Sequence, residues 1–202
     1  MYNKSVIQIT CMKLLDCLSD KEKNLGRVVS FKKGNILFHE NDKCEYIGIV
    51  IKGEIQISSY SLSGQEIIYN TIKKDEMFGN NLLFSESPFY RGNVMGKEDG
   101  DLILFPKSNL LTILKNNDEF LTIYLQVCAD FSKSLNAQIK LLSLSSAEER
   151  LIFFLENHSP YHYKSVAGFA KTLYLSRETL SRLISKMIKE GKIKKKGNTL
   201  YL

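Results

Sequence analysis

Over the first hundred residues, short apolar runs alternate with glycine. Ile36-Leu37-Phe38, the stretch from Ile47 to Ile51, Ile55-Gln56-Ile57 and Ile67-Ile68-Tyr69 are rich in β-branched and aromatic side chains. Nine of the twelve glycines fall between Gly26 and Gly100, and none follows until Gly168. Strands of this composition at regular spacing, punctuated by turn residues, predict an antiparallel barrel or jelly roll. Lys52-Gly53-Glu54 and Ser63-Gly64-Gln65 are the candidate hairpins. Pro106 ends the β region. A helix is predicted from Asn117-Asp118-Glu119, where the acids suit the positive end of the dipole. Its apolar positions are Leu121, Leu125, Cys128, Phe131, Leu135, Ile139 and Leu142. Those steps of three and four make a coiled-coil-like seam of about three heptads. A helix of about 28 residues would be about 40 Å long. A second copy of the same helix would cover the stripe. The alternative is a helix lying along its own β domain.

The last third reads differently again. Ser165 can cap a helix whose inner face is Phe169, Ala170 and Leu173. Ser176 can cap a second, with Leu180, Leu183, Ile184 and Met187 inside and Gly191 as its stop. Ile193 and Leu200 flank Lys194-Lys195-Lys196-Gly197-Asn198, a candidate basic hairpin. Two short helices across a tight turn, followed by a hairpin, describe a winged helix-turn-helix. The predicted class is therefore α+β: an N-terminal antiparallel β jelly roll, a long dimerisation helix and a C-terminal winged helix-turn-helix. The expected boundaries are 1–115, 116–146 and 147–202.

Charge adds a direction. The chain carries a formal +6. Residues 147–202 hold 11 Lys+Arg against 5 Asp+Glu, and residues 1–146 hold 17 of each. Basicity confined to the last segment points to a polyanionic partner, against the alternative of a solvated tail. On the outward face of the second helix stand Arg177, Glu178, Ser181 and Arg182. Arginine can donate twice to guanine O6 and N7, and glutamate can accept from cytosine N4. Lys186, with Lys164, Lys171, Lys189 and the hairpin lysines, would sit nearer phosphates. The alternative for Glu178 and Arg182 is a surface salt bridge one turn apart.

Ser176-Arg-Glu-Thr-Leu-Ser-Arg182 resembles the recognition helix of the Crp/Fnr family of bacterial transcription regulators. Ala147-Glu-Glu-Arg-Leu151 resembles that family's link between dimer helix and DNA-binding domain. Phe31-x-x-Gly34 and Ile49-Val-Ile-Lys-Gly53 resemble strands of its cyclic-nucleotide-binding jelly roll. The resemblance implies a homodimer on pseudo-palindromic double-stranded DNA, with base contacts from Arg177, Glu178 and Arg182 and with Ser176, Ser181 and Lys186 as further DNA-binding residues. It implies RNA polymerase as a further partner if the protein is an activator. Tyr174 stands where most members have a glycine.

The resemblance also implies where an effector would sit. Phe78-Gly-Asn-Asn-Leu-Leu-Phe84 and Arg91-Gly92 match the family's phosphate-holding segment. Gly79 and Arg91 agree with it. Asn80 replaces the glutamate that holds the ribose, and Gly92 replaces a serine or threonine. Leu135-Asn136 stand where members that bind cyclic AMP have a Thr-Ser pair. A neutral amide gives a weaker bond than a carboxylate. The expected effector is therefore not cyclic AMP. Gly79, Asn80, Asn81, Arg91, Gly92 and Asn136 are the candidate contacts for another ligand. The alternative for Arg91 is a surface ion pair.

No metal site or cofactor is predicted. Cys11, Cys17, Cys44 and Cys128 form no CxxC pair. The Fnr branch of the family holds an iron–sulfur cluster on four cysteines, so a cluster, or a Cys11–Cys17 thiol switch, is the alternative sensor. There is no Gly-x-Ser-x-Gly, P-loop or dinucleotide fingerprint, so no enzyme is expected. The other functional alternative is a ligand-binding regulatory protein acting through protein contacts. No apolar run is long enough for a membrane helix and no signal peptide is recognised, so the expected location is the cytoplasm and no membrane partner is expected.

Overall fold

A computed structural model describes residues 14–202, which divide into two compact units meeting at Ala129 and Asp130. Cys11 lies outside the described residues.

In the N-terminal unit a one-turn helix α1 (Asp20–Lys23) precedes eight strands: β1 (Arg27–Phe31), β2 (Ile36–Phe38), β3 (Tyr46–Lys52), β4 (Glu54–Tyr60), β5 (Glu66–Lys73), β6 (Met77–Phe78), β7 (Asn93–Gly96) and β8 (Gly100–Pro106). They form two four-stranded antiparallel sheets, ordered β1-β8-β3-β6 and β2-β7-β4-β5. This is the predicted jelly roll. Ser63-Gly64-Gln65 closes the hairpin that pairs Tyr60 with Glu66. Lys52-Gly53-Glu54 is not a hairpin. β3 pairs with β6 and β8, while β4 pairs with β5 and β7, so the chain crosses at Gly53 from one sheet to the other. A tight turn fixes the local chain direction but not the partner strand. Ile47, Ile49 and Phe105 from the first sheet pack with Ile55 and Val94 from the second, all fully buried. Burying such a side chain contributes about 1.5–3 kcal/mol, which makes this layer the source of the unit's stability.

A helix that the glycine pattern did not signal, α2 (Lys107–Asn116), follows Pro106 directly and buries Leu110 and Ile113. Next comes α3 (Asp118–Ser143), 26 residues without glycine or proline. Asn117 starts it: its side-chain oxygen accepts from the Phe120 N–H at 2.9 Å. Phe120, Ile123, Tyr124 and Val127 join the jelly-roll core. On the predicted seam, Leu125, Leu135, Ile139 and Leu142 are exposed in the single chain, while Leu121, Cys128 and Phe131 are half-buried.

The C-terminal unit continues with α4 (Ala147–His158), β9 (Tyr161–His162), α5 (Val166–Thr172), α6 (Arg177–Lys189), β10 (Lys194–Lys196) and β11 (Thr199–Tyr201). Ser146 and Glu149 form a capping box at the start of α4. The stretch around Pro160 reads as a connection in the sequence. In the structure Tyr161 and His162 pair with β11 and complete a three-stranded sheet behind the helices. Its tip is the basic hairpin, Lys196 opposite Thr199. Phe154, Tyr161, Tyr163 and Phe169 pack ring on ring at the centre, with Leu173, Leu180 and Met187 fully buried around them.

Candidate nucleic-acid interface

The turn between α5 and α6 sets how the second helix is presented. Leu175 N donates to Ala170 O at 2.9 Å and Tyr174 N to Lys171 O at 3.1 Å. This paired pattern places one residue in the left-handed region, where glycine is usual. Here that residue is Tyr174, with φ +54°. The turn keeps its form despite the side chain. A left-handed residue with a Cβ costs about 1–2 kcal/mol, and glycine's extra freedom in the unfolded chain returns about 0.5–1 of that. Tyr174→Gly is therefore expected to stabilise the protein by about 0.5–1 kcal/mol. A thermal melt checks this: a raised midpoint is expected, and a lowered one would mean the ring holds the turn by packing. Arg150 fastens the turn from behind. Its Nε donates to Leu144 O at 3.1 Å and its Nη1 to Tyr174 O at 3.4 Å.

α6 is strongly two-faced. Leu180, Leu183, Ile184 and Met187 are buried. Ser176, Arg177, Glu178, Ser181, Arg182, Ser185, Lys186 and Lys189 are exposed. Ser176 is the cap: its Oγ accepts from the Thr179 N–H at 3.0 Å. That bond fixes the helix start and leaves Arg177 and Glu178 in the first turn, at the end where backbone N–H groups face outward. Among the described residues the ion pairs of this helix are made by Lys186, and neither Glu178 nor Arg182 takes part in one. The salt bridge that the spacing allowed is not formed. Both groups stand ready for an external partner.

Lys186 is placed otherwise. Its Nζ lies 3.2 Å from a Glu148 carboxylate oxygen on α4 and 3.7 Å from Glu190. Lys192 donates to the other oxygen of Glu148 and lies 2.9 Å from Glu190. Lys192 and then Lys186 hold the Glu148 carboxyl below the usual carboxylate range, and Glu148 in turn raises both lysines. Sequence spacing gave no sign of this cluster, because Glu148 is 38 residues from Lys186. The Ser146–Glu149 box beside it was legible as S-x-x-E.

The candidate effector segment lies in the N-terminal unit. Gly79 has φ +83°, and a Cβ there would stand 2.8 Å from Tyr46 O, so glycine is required. Leu82 N and Leu83 N both donate to Gly79 O, at 3.0 and 2.9 Å, and close a single turn. Asn80 is turned to α3: its Nδ2 lies 3.8 Å from Cys128 Sγ, and the Tyr124 hydroxyl donates to its carbonyl at 3.4 Å. Gly92 is buried, and a Cβ there would meet Ser58 O at 2.7 Å. A serine or threonine could not take this position without moving β4. Asn81 and Arg91 are exposed, and among the described residues Arg91 makes no ion pair. Asn136 is exposed on α3 within the C-terminal unit.

Burial raises the Cys44 thiol, which donates to Tyr46 O at 3.4 Å. Burial, with Glu119 and Asp16 nearby, raises Cys17 as well. Protonated thiols are poor ligands and nucleophiles. Among the described residues no three His, Cys, Asp or Glu side chains converge as a metal set. No helix among them is long and apolar enough to cross a membrane.

Known proteins resemble this chain at three levels: a family model, relatives in sequence and solved structures in fold. Residues 28–117 match the family described as the cyclic nucleotide-binding domain. The Anaerobic regulatory protein of Bacillus subtilis (strain 168) is 22% identical over 203 residues, covering 96% of this chain and 82% of that protein. The HTH-type transcriptional regulator ArcR of Staphylococcus epidermidis is 23% identical over 189 residues, covering 85% and 79%. Among solved structures, a mutant of CooA from Carboxydothermus hydrogenoformans shares the fold with a TM-score of 0.68 at 19% identity, over 98% of this chain and 94% of that one.

Proposed function

We propose that this chain is a transcription regulator of the Crp/Fnr type, and that it binds duplex DNA as a homodimer and reads a pseudo-palindromic site through α6. The family is one of regulators, not enzymes. One observation carries the reading. Arg177, Glu178 and Arg182 are exposed at the capped end of a helix whose other face is buried, and among the described residues Glu178 and Arg182 are in no ion pair. Arginine and glutamate so placed are equipped to recognise a G·C pair from the major groove. The wing lysines Lys194, Lys195 and Lys196 add phosphate contacts that fix register. Pairing along the seam of α3 would space two such helices about 34 Å apart, one turn of DNA. The protein acts in the cytoplasm, and RNA polymerase is its partner where it activates. The test is fluorescence anisotropy on pseudo-palindromic and scrambled duplexes across a salt series. Salt-dependent binding that favours the palindrome is expected. No binding to any duplex would contradict the reading and favour action through protein contacts.

The effector in this reading is not cyclic AMP, and no cofactor is required. Asn80 supplies no carboxylate for a ribose and is engaged with Cys128 and Tyr124, and Gly92 leaves no room for a hydroxyl side chain. Saturating cyclic AMP is therefore expected to leave the thermal midpoint unchanged. A ligand at a hundred times its Kd would add about 2.7 kcal/mol of stability and raise the midpoint by several degrees. Such a rise would overturn this part of the proposal.

A further inference from the structure

Phosphate binding draws on lysines that are free to give up water and meet an anion. The two ends of α6 differ in this respect. At its N-terminal end Arg177 and Arg182 are exposed cations that make no ion pair among the described residues. At its C-terminal end two lysines meet two acids: Glu148 bridges Lys186 and Lys192, and Glu190 pairs with both. Arg182, Lys186 and Glu190 line one shallow depression, so the lysine that Glu148 holds stands on the same surface as the base-reading arginine. Ion pairs this exposed contribute little to stability, about 0–1 kcal/mol each. Their effect falls instead on whatever anion approaches. A duplex laid along α6 must either displace Glu148 from both lysines or do without them, and the carboxylate itself repels phosphate.

We infer that Glu148 limits non-specific DNA binding by occupying Lys186 and Lys192, which makes it a specificity-determining residue that acts without touching DNA. This rests on the DNA-binding reading above. Non-specific affinity depends on the number of phosphates neutralised, each contributing about 0.9 to the slope of log affinity against log salt. Occupying two lysines therefore removes up to about two phosphate contacts per protomer from the sequence-independent part. The contacts of Arg177, Glu178 and Arg182 to bases are unaffected, so discrimination rises as general affinity falls.

The experiment uses the full chain, wild type and Glu148→Gln, with fluorescence anisotropy on a random-sequence duplex and on the preferred duplex across a KCl series. Glutamine keeps the length and removes the charge. The variant is expected to bind random DNA about 3- to 10-fold more tightly at low salt, with a slope steeper by about 1–2 per protomer. The ratio of preferred to random affinity should fall. Adding Lys186→Gln and Lys192→Gln to the variant should return the slope to the wild-type value. An unchanged slope and unchanged random-DNA affinity in the single variant would overturn the inference. So would a lower melting temperature with weaker binding at the same slope, which is the signature of a buttress between α4 and α6. Failure of the DNA reading itself shows in a different arm: the wild type would then bind neither duplex at any salt, and the inference would fall with it.

Discussion

Replacing Arg182 with alanine lowers affinity for the preferred duplex by about 1–3 kcal/mol per half-site and relaxes selection at one base pair. The expectation follows from what the structure shows around this side chain. Arg182 is exposed on the second turn of α6, one turn from Glu178, and is in no ion pair among the described residues. Among the described residues no ion pair has to be broken for it to reach a guanine, and none is left open when it is removed. The loss should therefore report the external contact alone, with the thermal midpoint unchanged. Binding of the variant to random duplex should fall only slightly. An equal loss on both duplexes would assign Arg182 to a phosphate. No loss on either would remove it from the interface.

Leu135→Glu combined with Ile139→Glu is expected to convert the protein to a monomer and to weaken DNA binding by more than about 100-fold, the usual scale of linked binding. Both residues are exposed in the single chain, Ile139 to 62% and Leu135 to 41%. They continue a stripe with Leu125 and Leu142, which are likewise exposed among the described residues. Covering each such side chain contributes about 1.5–3 kcal/mol. Two per protomer, replaced by carboxylates that would face their copies, exceeds what a helix pair of this length can spare. Because the substituted positions are solvent-exposed in the monomer, circular dichroism should still report folded helices. Sedimentation equilibrium gives the mass. A dimer that survives the double substitution would place the interface elsewhere and leave the stripe of α3 for another partner.

What the sequence made legible divides along physical lines. Features set by neighbours a few residues apart were readable. The caps at Ser165 and Ser176, the buried face of α6 and the apolar stripe of α3 depend on local spacing, and the structure has them at those residues. The strand composition gave the jelly roll for the same reason. Features set by distant partners were not readable. Gly53 has the form of a hairpin residue, yet it carries the chain between sheets, because β3 pairs with β8, Tyr46 opposite Pro106, and β4 with β7, Ile55 opposite Gly96, both far along the chain. Two residues of β9 are too short to show a period, and only β11 makes them a strand. α2 was hidden because Pro106 was read as an end, although proline also suits the start of a helix.

The candidate site follows the same rule. That Arg177, Glu178 and Arg182 share one exposed face was evident from their spacing. That Lys186 is tied to Glu148 was not, and it changes the part this lysine plays. The effector segment shows a further case. Gly92 looked like a loss of a ligand-binding hydroxyl. In the structure it is a packing requirement imposed by Ser58 O on β4.

Selection of duplexes from a random pool by the full chain tests the central claim most directly. Enrichment of an inverted repeat is predicted, with half-site centres one helical turn apart, an invariant G·C pair in each half and two chains bound per duplex. Recovery of unrelated sequences, or of a single unrepeated site bound by one chain, would contradict it.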